Sequence, residues 1–150
     1  MKNTEKNILD RAAHGGFTLL ELLVVVIIIG ILTALAAPSY TAYIMQGKIP
    51  QATSNMSILN VQLEQYYQDN VTYAGACADG TVAPLPKDDN FTYKCTLTDT
   101  ANLVTATGLN SMKDFTYTID QAGNKSTTSL PTGWGTVPAT CWIVKRGSTC

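Results

Sequence analysis

A long apolar stretch near the start of the chain dominates the pattern of hydrophobic and polar positions. It runs from Phe17 to Ala37, and Glu21 is the only residue within it that carries an ionisable side chain. A helix of this length would extend about 30 Å, close to the thickness of the hydrocarbon core of a bilayer. We therefore predict a helix at residues 17–38 that lies in lipid or among other apolar helices.

Beyond Pro38 the apolar positions take the spacing of an amphipathic helix. They recur at intervals of four and three residues, which places them on one helical face. We predict a helix over residues 39–70 that Pro50 bends near Gln46–Gly47, because proline removes a backbone donor, and that ends at Asp69–Asn70. The stripe predicted to pack on a sheet consists of Ala52, Met56, Leu59, Leu63 and Tyr66.

The second half of the chain has the pattern of short strands. Residues 71–90 contain two glycines and two prolines and are predicted to form a loop. Alternating or Thr- and Val-rich segments follow, with a hairpin turn at Asp120–Asn124. The predicted strands are Phe91–Leu97, Leu103–Leu109, Phe115–Ile119 and Lys125–Thr128. Because they are consecutive, an α+β fold is expected, in which the long helix packs on a four-stranded antiparallel meander over residues 91–129.

Two residues, one within the apolar stretch and one directly after it, weaken the helical preference of this segment. Gly30 loosens the backbone, and Pro38 lacks an amide hydrogen. Lipid enforces an intact helix, because unpaired backbone groups are costly in hydrocarbon. Where neighbouring helices replace lipid, the segment between the two residues is able to unwind. The alternative is an ordinary proline kink in a membrane helix.

The segment before the apolar stretch is short, polar and mixed in charge. Residues 1–16 include Lys2, Lys6 and Arg11, which favour a cytoplasmic location for this end, and they finish with Gly15–Gly16. Cleavage at these glycines would keep the apolar stretch in the product. A secretory signal, cut after Ala34–Ala36, and a permanent anchor are the alternatives. An acidic residue within the apolar core speaks against both, because it makes insertion less favourable.

The cysteines and the charge limit the kinds of chemistry to consider. All four cysteines follow the apolar stretch, which is typical of an oxidising compartment, and they allow three disulfide connectivities. His14, in the leader, is the only histidine, so a metal site and a Ser-His or Cys-His pair are not expected. After residue 16 the chain has 7 Lys/Arg and 9 Asp/Glu, and 7 − 9 gives a net side-chain charge of −2. This balance does not favour a nucleic-acid partner.

Several motifs resemble one family. The run Gly16–Leu23 (GFTLLELL) resembles the processing site of type IV prepilins, in which a Phe follows the cleaved Gly and a Glu stands fifth after the cut. Gly30 and Pro38 match the helix-loosening positions of type IVa pilins. Lys48–Ala52 and Glu64–Asn70 are similar to PilE-like pilins. The resemblance is close in the N-terminal half, whereas the C-terminal half is similar mainly in its cysteine placement and strand pattern.

The resemblance implies roles for individual residues. It implies that prepilin peptidase cuts between Gly16 and Phe17, and that the new N-terminal Phe17 is N-methylated. It also implies that Glu21 pairs with the Phe17 ammonium of a neighbouring subunit, and it favours partial unwinding between Gly30 and Pro38. In the C-terminal half, the family's way of closing its loops, together with the short separations, favours the pairs Cys77–Cys95 and Cys141–Cys150. The second pair would close a C-terminal loop at residues 130–150.

The function that the resemblance implies is structural. A type IV pilin enters the inner membrane as a prepilin, is processed, and polymerises into an extracellular helical filament used for adhesion, twitching motility or DNA uptake. The implied partners are other copies and other pilins, prepilin peptidase, the inner-membrane assembly platform, and lipid before assembly. No cofactor and no catalytic activity are expected.

Two alternative functions come from different classes. One is a minor pilin that takes up DNA through a basic, aromatic patch formed by Lys145, Arg146, Trp134 and Trp142. The alternative for the two tryptophans is a purely structural role, in which they cap the edge of a core. The other alternative is a pseudopilin of a type II secretion system, which shares the N-terminal pattern. Its major form commonly fixes the C-terminal region with calcium, and the four cysteines therefore favour a pilin.

Overall fold

The computed structural model describes residues 16–150, apart from the side chains of residues 35–39. Residues 1–15 of the expected leader and the side chain of Pro38 lie outside this description. The chain divides into two compact units, Met1–Pro38 and Ser39–Cys150. In order, the elements are helix α1 (Leu19–Asn70), strand β1 (Phe91–Leu97), strand β2 (Asn102–Gly108), a short 3-10 helix (Asn110–Met112), strand β3 (Thr116–Asp120) and strand β4 (Lys125–Ser129).

Helix α1 begins directly after a capping residue. The backbone N–H of Glu21 donates to the Thr18 hydroxyl oxygen (3.2 Å), and the N–H of Leu22 donates to the Thr18 carbonyl (3.2 Å). Thr18 and Glu21 have the spacing of a capping box, and the Thr18 half of it is formed: its hydroxyl satisfies an amide that a helix start otherwise leaves unpaired. The helix then continues through Gly30 and Pro50. It ends at Asn70, as the sequence predicts, and Val71 turns the chain with a φ of 58°.

The four strands form one antiparallel sheet in the order β1-β2-β3-β4, which confirms the predicted meander. Strand β3 begins one residue later than predicted. Phe115 instead closes the turn that follows the 3-10 helix, because its N–H donates to the Met112 carbonyl (2.9 Å); its carbonyl accepts from the N–H of Gly108 at the end of β2 (2.9 Å). The short helix was not predicted from the sequence, although its Met112 is fully buried.

One face of the sheet covers the second half of α1. The predicted helical stripe is confirmed, since its first four members are completely buried and Tyr66 is partly buried. Ile49, one turn before the stripe, is also completely buried. From the sheet, the inward residues of alternating strand positions complete this core: Phe91, Tyr93, Val104, Ala106, Tyr117 and Ile119.

Two adjacent helix residues test which face of α1 contributes to the free energy of unfolding. Leu59 is fully buried, whereas Ile58 is 55% exposed. We expect Leu59→Ala to lower the free energy of unfolding by about 2–5 kcal/mol, because it leaves a cavity under the sheet. The matched change Ile58→Ala should alter it by less than about 0.5 kcal/mol. Denaturant unfolding of the full chain in detergent, followed by near-ultraviolet circular dichroism, compares the two. Equal losses would contradict this assignment of the faces.

Candidate functional site

The first half of α1 exposes an unusually large apolar surface. All twelve of its leucines, valines and isoleucines from Leu19 to Leu32 are exposed, from 44% at Val25 to 82% at Leu19. A contiguous apolar surface of this extent marks a site that lipid or another protein covers. Within the described residues, no helical segment combines the length and the hydropathy required to cross a bilayer.

The predicted processing and pairing residues lie at the start of this helix. Phe17 is 77% exposed, and Gly16 has open space around it, so the bond between them is accessible. The Glu21 side chain is exposed in the first turn of α1, where the helix dipole favours a negative charge. Among residues 16–150, no partner hydrogen-bonds or ion-pairs with its carboxylate. Its charge is therefore free to meet a cation from outside the described chain.

The segment expected to unwind is helical in this chain. The Thr33 hydroxyl donates to the carbonyls of Ile29 (2.7 Å) and Gly30 (3.0 Å), inside the same segment. Such back-bonding slightly destabilises and often bends a helix, and Pro38 leaves the Ala34 carbonyl without its usual donor. These features make the segment weaker than its neighbours. Its unwinding in a filament stays a prediction.

The loop between α1 and β1, residues 71–90 (the αβ loop), is tied to the core at its start and middle. A disulfide joins Cys77 to Cys95 of β1, the pairing that the sequence favours. Tyr73 stacks on Tyr67 with ring centroids 4.6 Å apart, and its hydroxyl donates to the Glu64 carboxylate. Burial, together with this carboxylate, raises the pKa of Tyr73 to about 12. The tyrosine therefore remains a neutral donor.

A second group of polar side chains fixes the end of the αβ loop. The Tyr93 hydroxyl donates to Asp88 Oδ2 (3.0 Å), and Asn55 Nδ2 of α1 donates to the Tyr93 oxygen (3.0 Å). The other oxygen of Asp88 accepts from the N–H of Asn90 (2.8 Å). Burial raises the pKa of Tyr93 above its usual range, and the hydrogen bond to Asp88 acts in the same direction. Helix, loop and strand thus meet at one satisfied polar cluster.

The C-terminal loop, residues 130–150, is held against β4 through a buried threonine. Thr127 is completely buried; its hydroxyl donates to the Cys141 carbonyl (2.6 Å) and accepts from the N–H of Ile143 (2.9 Å). Its backbone exchanges two hydrogen bonds of 3.0 Å with Ala139. A disulfide joins Cys141 to Cys150, again the pair that the sequence favours. No pattern in the sequence distinguishes Thr127 from the exposed threonines around it.

Aromatic side chains also hold the C-terminal loop against the core. Trp134 is 3% exposed and meets Phe115 edge to face, with centroids 4.7 Å apart. The Tyr117 hydroxyl donates to the Ile143 carbonyl (2.9 Å), and burial raises the pKa of Tyr117 above its usual range. The loop is therefore packed on the core as well as closed by its disulfide.

The four residues of the predicted nucleic-acid patch do not form a stacking surface. Trp134 is buried in the core, in agreement with a purely structural role. Trp142 is partly buried, and its indole N–H donates to the Thr118 carbonyl (2.9 Å). The Nζ atom of Lys125 lies over the Trp142 ring, 4.7 Å from the ring centroid. Lys145 and Arg146 are exposed.

The turn between β3 and β4 has one carboxylate at its centre. Asp120 accepts from the backbone N–H groups of Ala122 (2.9 Å) and Asn124 (2.8 Å) and from the Asn124 side chain (2.9 Å). Desolvation alone would raise the pKa of Asp120, but these donors outweigh it and hold that pKa below its usual value. Across residues 16–150, no group of three or more histidine, cysteine, aspartate or glutamate side chains is placed to hold a metal ion.

Comparison with known proteins places similarity mainly at the N-terminal half. Residues 11–37 match the prokaryotic N-terminal methylation motif. A type IV major fimbrial protein FimA of Dichelobacter nodosus is 36% identical over 96 residues, which are 61% of this chain and 56% of the relative. The type II secretion system core protein G of Pseudomonas aeruginosa is 37% identical over 65 residues, which are 43% of this chain and 46% of the relative.

A solved structure shows that the fold is that of a pilin. The non-core minor pilin PilV of Neisseria meningitidis superposes with a TM-score of 0.53 at 10% sequence identity, covering 65% of this chain and 96% of that chain. The alignments to the curated relatives, in contrast, span about half of their length.

Two neighbouring threonines test the attachment of the C-terminal loop. Thr127→Val leaves Ile143 N–H and the Cys141 carbonyl without their partner, and each such buried group costs about 1–3 kcal/mol. We therefore expect a clear loss of stability in denaturant unfolding followed by tryptophan fluorescence. Thr128→Val, at an exposed position of the same strand, should change stability by less than about 0.5 kcal/mol. A silent Thr127→Val would show that the loop does not depend on this contact.

Proposed function

We propose that this type IV pilin-like protein is a structural subunit of a type IV pilus, made as a prepilin and polymerised into a helical filament. The observation that carries the proposal is the exposed apolar half of α1, with the Glu21 carboxylate in its first turn. A surface of this kind is stable in either of two apolar surroundings, lipid or a bundle of other helices, and a subunit can therefore pass from one to the other. The match to the N-terminal methylation motif and the relation to fimbrial proteins support it.

The proposed path begins in the inner membrane. Residues 1–16 are a cytoplasmic leader that prepilin peptidase removes, residues 17–38 are held in lipid and later in the filament, and residues 39–150 form the globular domain outside. An inner-membrane platform then moves the subunit into the growing fibre, which carries it to the cell surface. Adhesion, twitching motility and DNA uptake are the uses proposed for that fibre.

Charge neutralisation is the proposed determinant of register. Cleavage gives Phe17 an ammonium group, and an exposed carboxylate at Glu21 is its natural partner on the next subunit. In surroundings of low dielectric the attraction is strong, although desolvation of the two ions cancels much of it. The pair therefore specifies how far each subunit advances, while apolar packing supplies the adhesion.

The second half of α1 supports lateral packing as well. Opposite its buried face, the side chains of Tyr40, Ile44, Ile58 and Val61 are exposed, by 68%, 42%, 55% and 69%. Residues 40 and 58 are eighteen apart, five helical turns, so they lie on the same side. We propose that this stripe continues the helix contacts of the apolar half along the fibre.

A pseudopilin of a type II secretion system is the second candidate, favoured by the similarity to core protein G. Deleting the chain in its host separates the two. Loss of surface fibres with normal secretion supports the pilin, and a secretion defect with normal fibres supports the pseudopilin. The role of a DNA receptor is less favoured, because Trp134 of the predicted patch is buried.

The processing proposal predicts the N-terminus of the mature chain. We expect protein purified from its native host to begin at Phe17 and to carry an N-methyl group, because the accessible Gly16–Phe17 bond precedes a retained apolar helix. Intact mass and N-terminal peptide mass spectrometry measure both features. A chain that begins at Ala37 or Pro38 would mean that a secretory signal had been removed.

Variants of Glu21 test the register proposal. In Glu21→Val, the Phe17 ammonium of the neighbour would be buried without a partner, at a cost of about 3–5 kcal/mol for each subunit. Insertion into the membrane should be at least as favourable as before, because a carboxylate is lost from lipid. We expect normal amounts of mature protein but few or no sheared fibres. The yield of sheared fibres relative to total mature protein is the measurement.

Two further variants separate the charge of Glu21 from its position in the helix cap. Glu21→Gln keeps a side chain suited to a capping box but removes the charge, so it should fail in assembly like Glu21→Val. Thr18→Ala removes the capping hydroxyl and keeps the charge, so it should still form fibres. Normal fibre yield from Glu21→Gln would show that assembly does not need the charge of Glu21.

A further inference from the structure

The charged side chains of the unit Ser39–Cys150 are not paired with one another. This unit has 7 Lys/Arg and 8 Asp/Glu, because Glu21, the ninth acidic residue after residue 16, lies outside it. Among residues 16–150, no ion pair joins a lysine or arginine to a carboxylate. The charges of the unit therefore face solvent or another molecule, and their distribution over its surface decides which molecule they favour.

Two lysines lie at the turn between β2 and β3. The Lys48 ammonium of α1 donates to the Ser111 hydroxyl (3.2 Å) in the 3-10 helix, and exposed Lys113 directly follows that helix. In an antiparallel meander, this turn and the turn between β1 and β2 lie at opposite ends of the sheet. Positive charge thus collects at one end of the unit.

The C-terminal loop brings two further cations to the same end. Lys145 and Arg146 are exposed, and the N–H of Gly147, the next residue, donates to the Trp134 carbonyl (2.9 Å). Trp134 in turn meets Phe115, which closes the turn between β2 and β3. We call these four cations the basic end: Lys48, Lys113, Lys145 and Arg146.

Three carboxylates collect at the opposite end, where α1 finishes. Asp69 lies in the last turn of α1, and Glu64 lies about one and a half turns earlier. Asp99 belongs to the turn between β1 and β2; its carboxylate accepts from the Thr72 hydroxyl (3.1 Å), and its carbonyl accepts from the N–H of Tyr73 (3.2 Å). The Tyr73 hydroxyl donates to Glu64, which joins the turn to the helix. We call Glu64, Asp69 and Asp99 the acidic end.

The two ends are far apart and carry opposite net charges of equal size. Lys48 and Asp69 are 21 positions apart in α1, about 30 Å along its axis, which exceeds the Debye length of about 8 Å at physiological ionic strength. The basic end has four cations and one carboxylate, Asp114 in the same turn, a net charge of +3, whereas the acidic end has three carboxylates, a net charge of −3. The other charges, three cations and four carboxylates, lie in the αβ loop, on β1 and in the turn between β3 and β4: Lys87, Lys94, Lys125, Asp79, Asp88, Asp89 and Asp120.

Asp69 lies at an unfavourable position for an isolated subunit. The C-terminus of a helix carries a partial negative charge that favours cations, and the last turn of α1 contains no basic residue. Within residues 16–150, the Asp69 carboxylate has no hydrogen-bond or ion-pair partner. A cation supplied by another molecule would therefore relieve the repulsion between this carboxylate and the end of the helix.

We propose that the acidic end of one subunit docks on the basic end of a second copy of the same chain. The net charges match, −3 against +3, and the cations would meet a carboxylate at the negative end of α1. Contact between two different surfaces of one molecule is heterologous, and its repetition produces an open helical assembly. The inference rests on the proposed filament function and adds to it a contact between globular domains that uses neither Glu21 nor the apolar half of α1.

Reversal of one charge at each end tests the contact in the native host. Asp69→Lys and Lys113→Asp each replace an attraction between subunits by a repulsion, so we expect each to lower the ratio of sheared fibres to mature protein by about fivefold or more. Lys94→Asp is the matched control, because Lys94 is exposed at the middle of β1, away from both ends. It should leave the ratio unchanged. An equal loss in all three variants would show a general effect of altered charge and would overturn the contact.

The stability of the subunit separates a lost contact from a failure to fold. Asp69→Lys places a cation in the last turn of α1, where the helix dipole favours one. Its midpoint of thermal unfolding in detergent should therefore equal or exceed that of the wild type. Reduced assembly of a subunit that is at least as stable supports the contact. A lower midpoint would contradict the position assigned to Asp69 and, with it, the contact.

Co-expression of two complementary variants is the rescue test. A chain with Lys113→Asp, Lys145→Asp and Arg146→Asp is acidic at both ends, whereas a chain with Asp69→Lys and Asp99→Lys is positive at both ends. Each chain alone should form few fibres. Together they should form mixed fibres, because the positive end of one chain meets the acidic end of the other, and mass spectrometry of sheared fibres should detect both in comparable amounts. No recovery of fibres on co-expression would refute the contact.

The wild-type chain and Glu21→Val separate this inference from the function on which it rests. Wild-type fibres that disappear in Glu21→Val but stay abundant in Asp69→Lys and Lys113→Asp would refute the contact between ends and leave the filament function standing. A native host that makes no fibres from the wild-type chain would overturn both.

Discussion

The packing of one face of α1 under the sheet is the interaction on which the rest of the structure depends. The five fully buried helix residues, Ile49 to Leu63 on one face, give the inner side of the meander the apolar cover that a single sheet cannot supply for itself. Both long loops then attach to elements that this packing has already fixed. The αβ loop is joined to β1 by Cys77–Cys95, and the C-terminal loop is seated on Thr127.

In the first half of the same helix, by contrast, the apolar side chains are exposed. Among the residues that the structure describes, no side chain covers the apolar residues between Leu19 and Leu32, so their burial depends on lipid or on other chains. A local cap at Thr18 begins the helix without tertiary support. The segment near Thr33 holds features that weaken a helix. One helix therefore combines a half whose surroundings change with a half whose surroundings are fixed by the sheet.

Much of this arrangement follows from sequence because it depends on periodicity. The interval of three and four residues identifies the buried face of α1, and strict alternation identifies β1 with the correct limits. Features that depend on tertiary context do not follow. Met112 sits in a three-residue helix too short to leave a pattern, and Thr127 differs from other strand threonines only through what packs on it. The exposed apolar helix was predictable from a long apolar run rather than from periodicity, since Glu21 is the only ionisable residue in that run.

The loops beside the two edges of the sheet are attached to it in different ways. After β4, the chain returns to that strand: Ala139 pairs with the Thr127 backbone, and the Thr127 hydroxyl contacts Cys141 and Ile143. Before β1, the αβ loop is drawn towards the core by Cys77–Cys95 and by buried Tyr73 and Ala83. The two loops are thus anchored in different ways: the C-terminal loop pairs through its backbone with β4, whereas the αβ loop is fixed to β1 by a disulfide and by packing on the core.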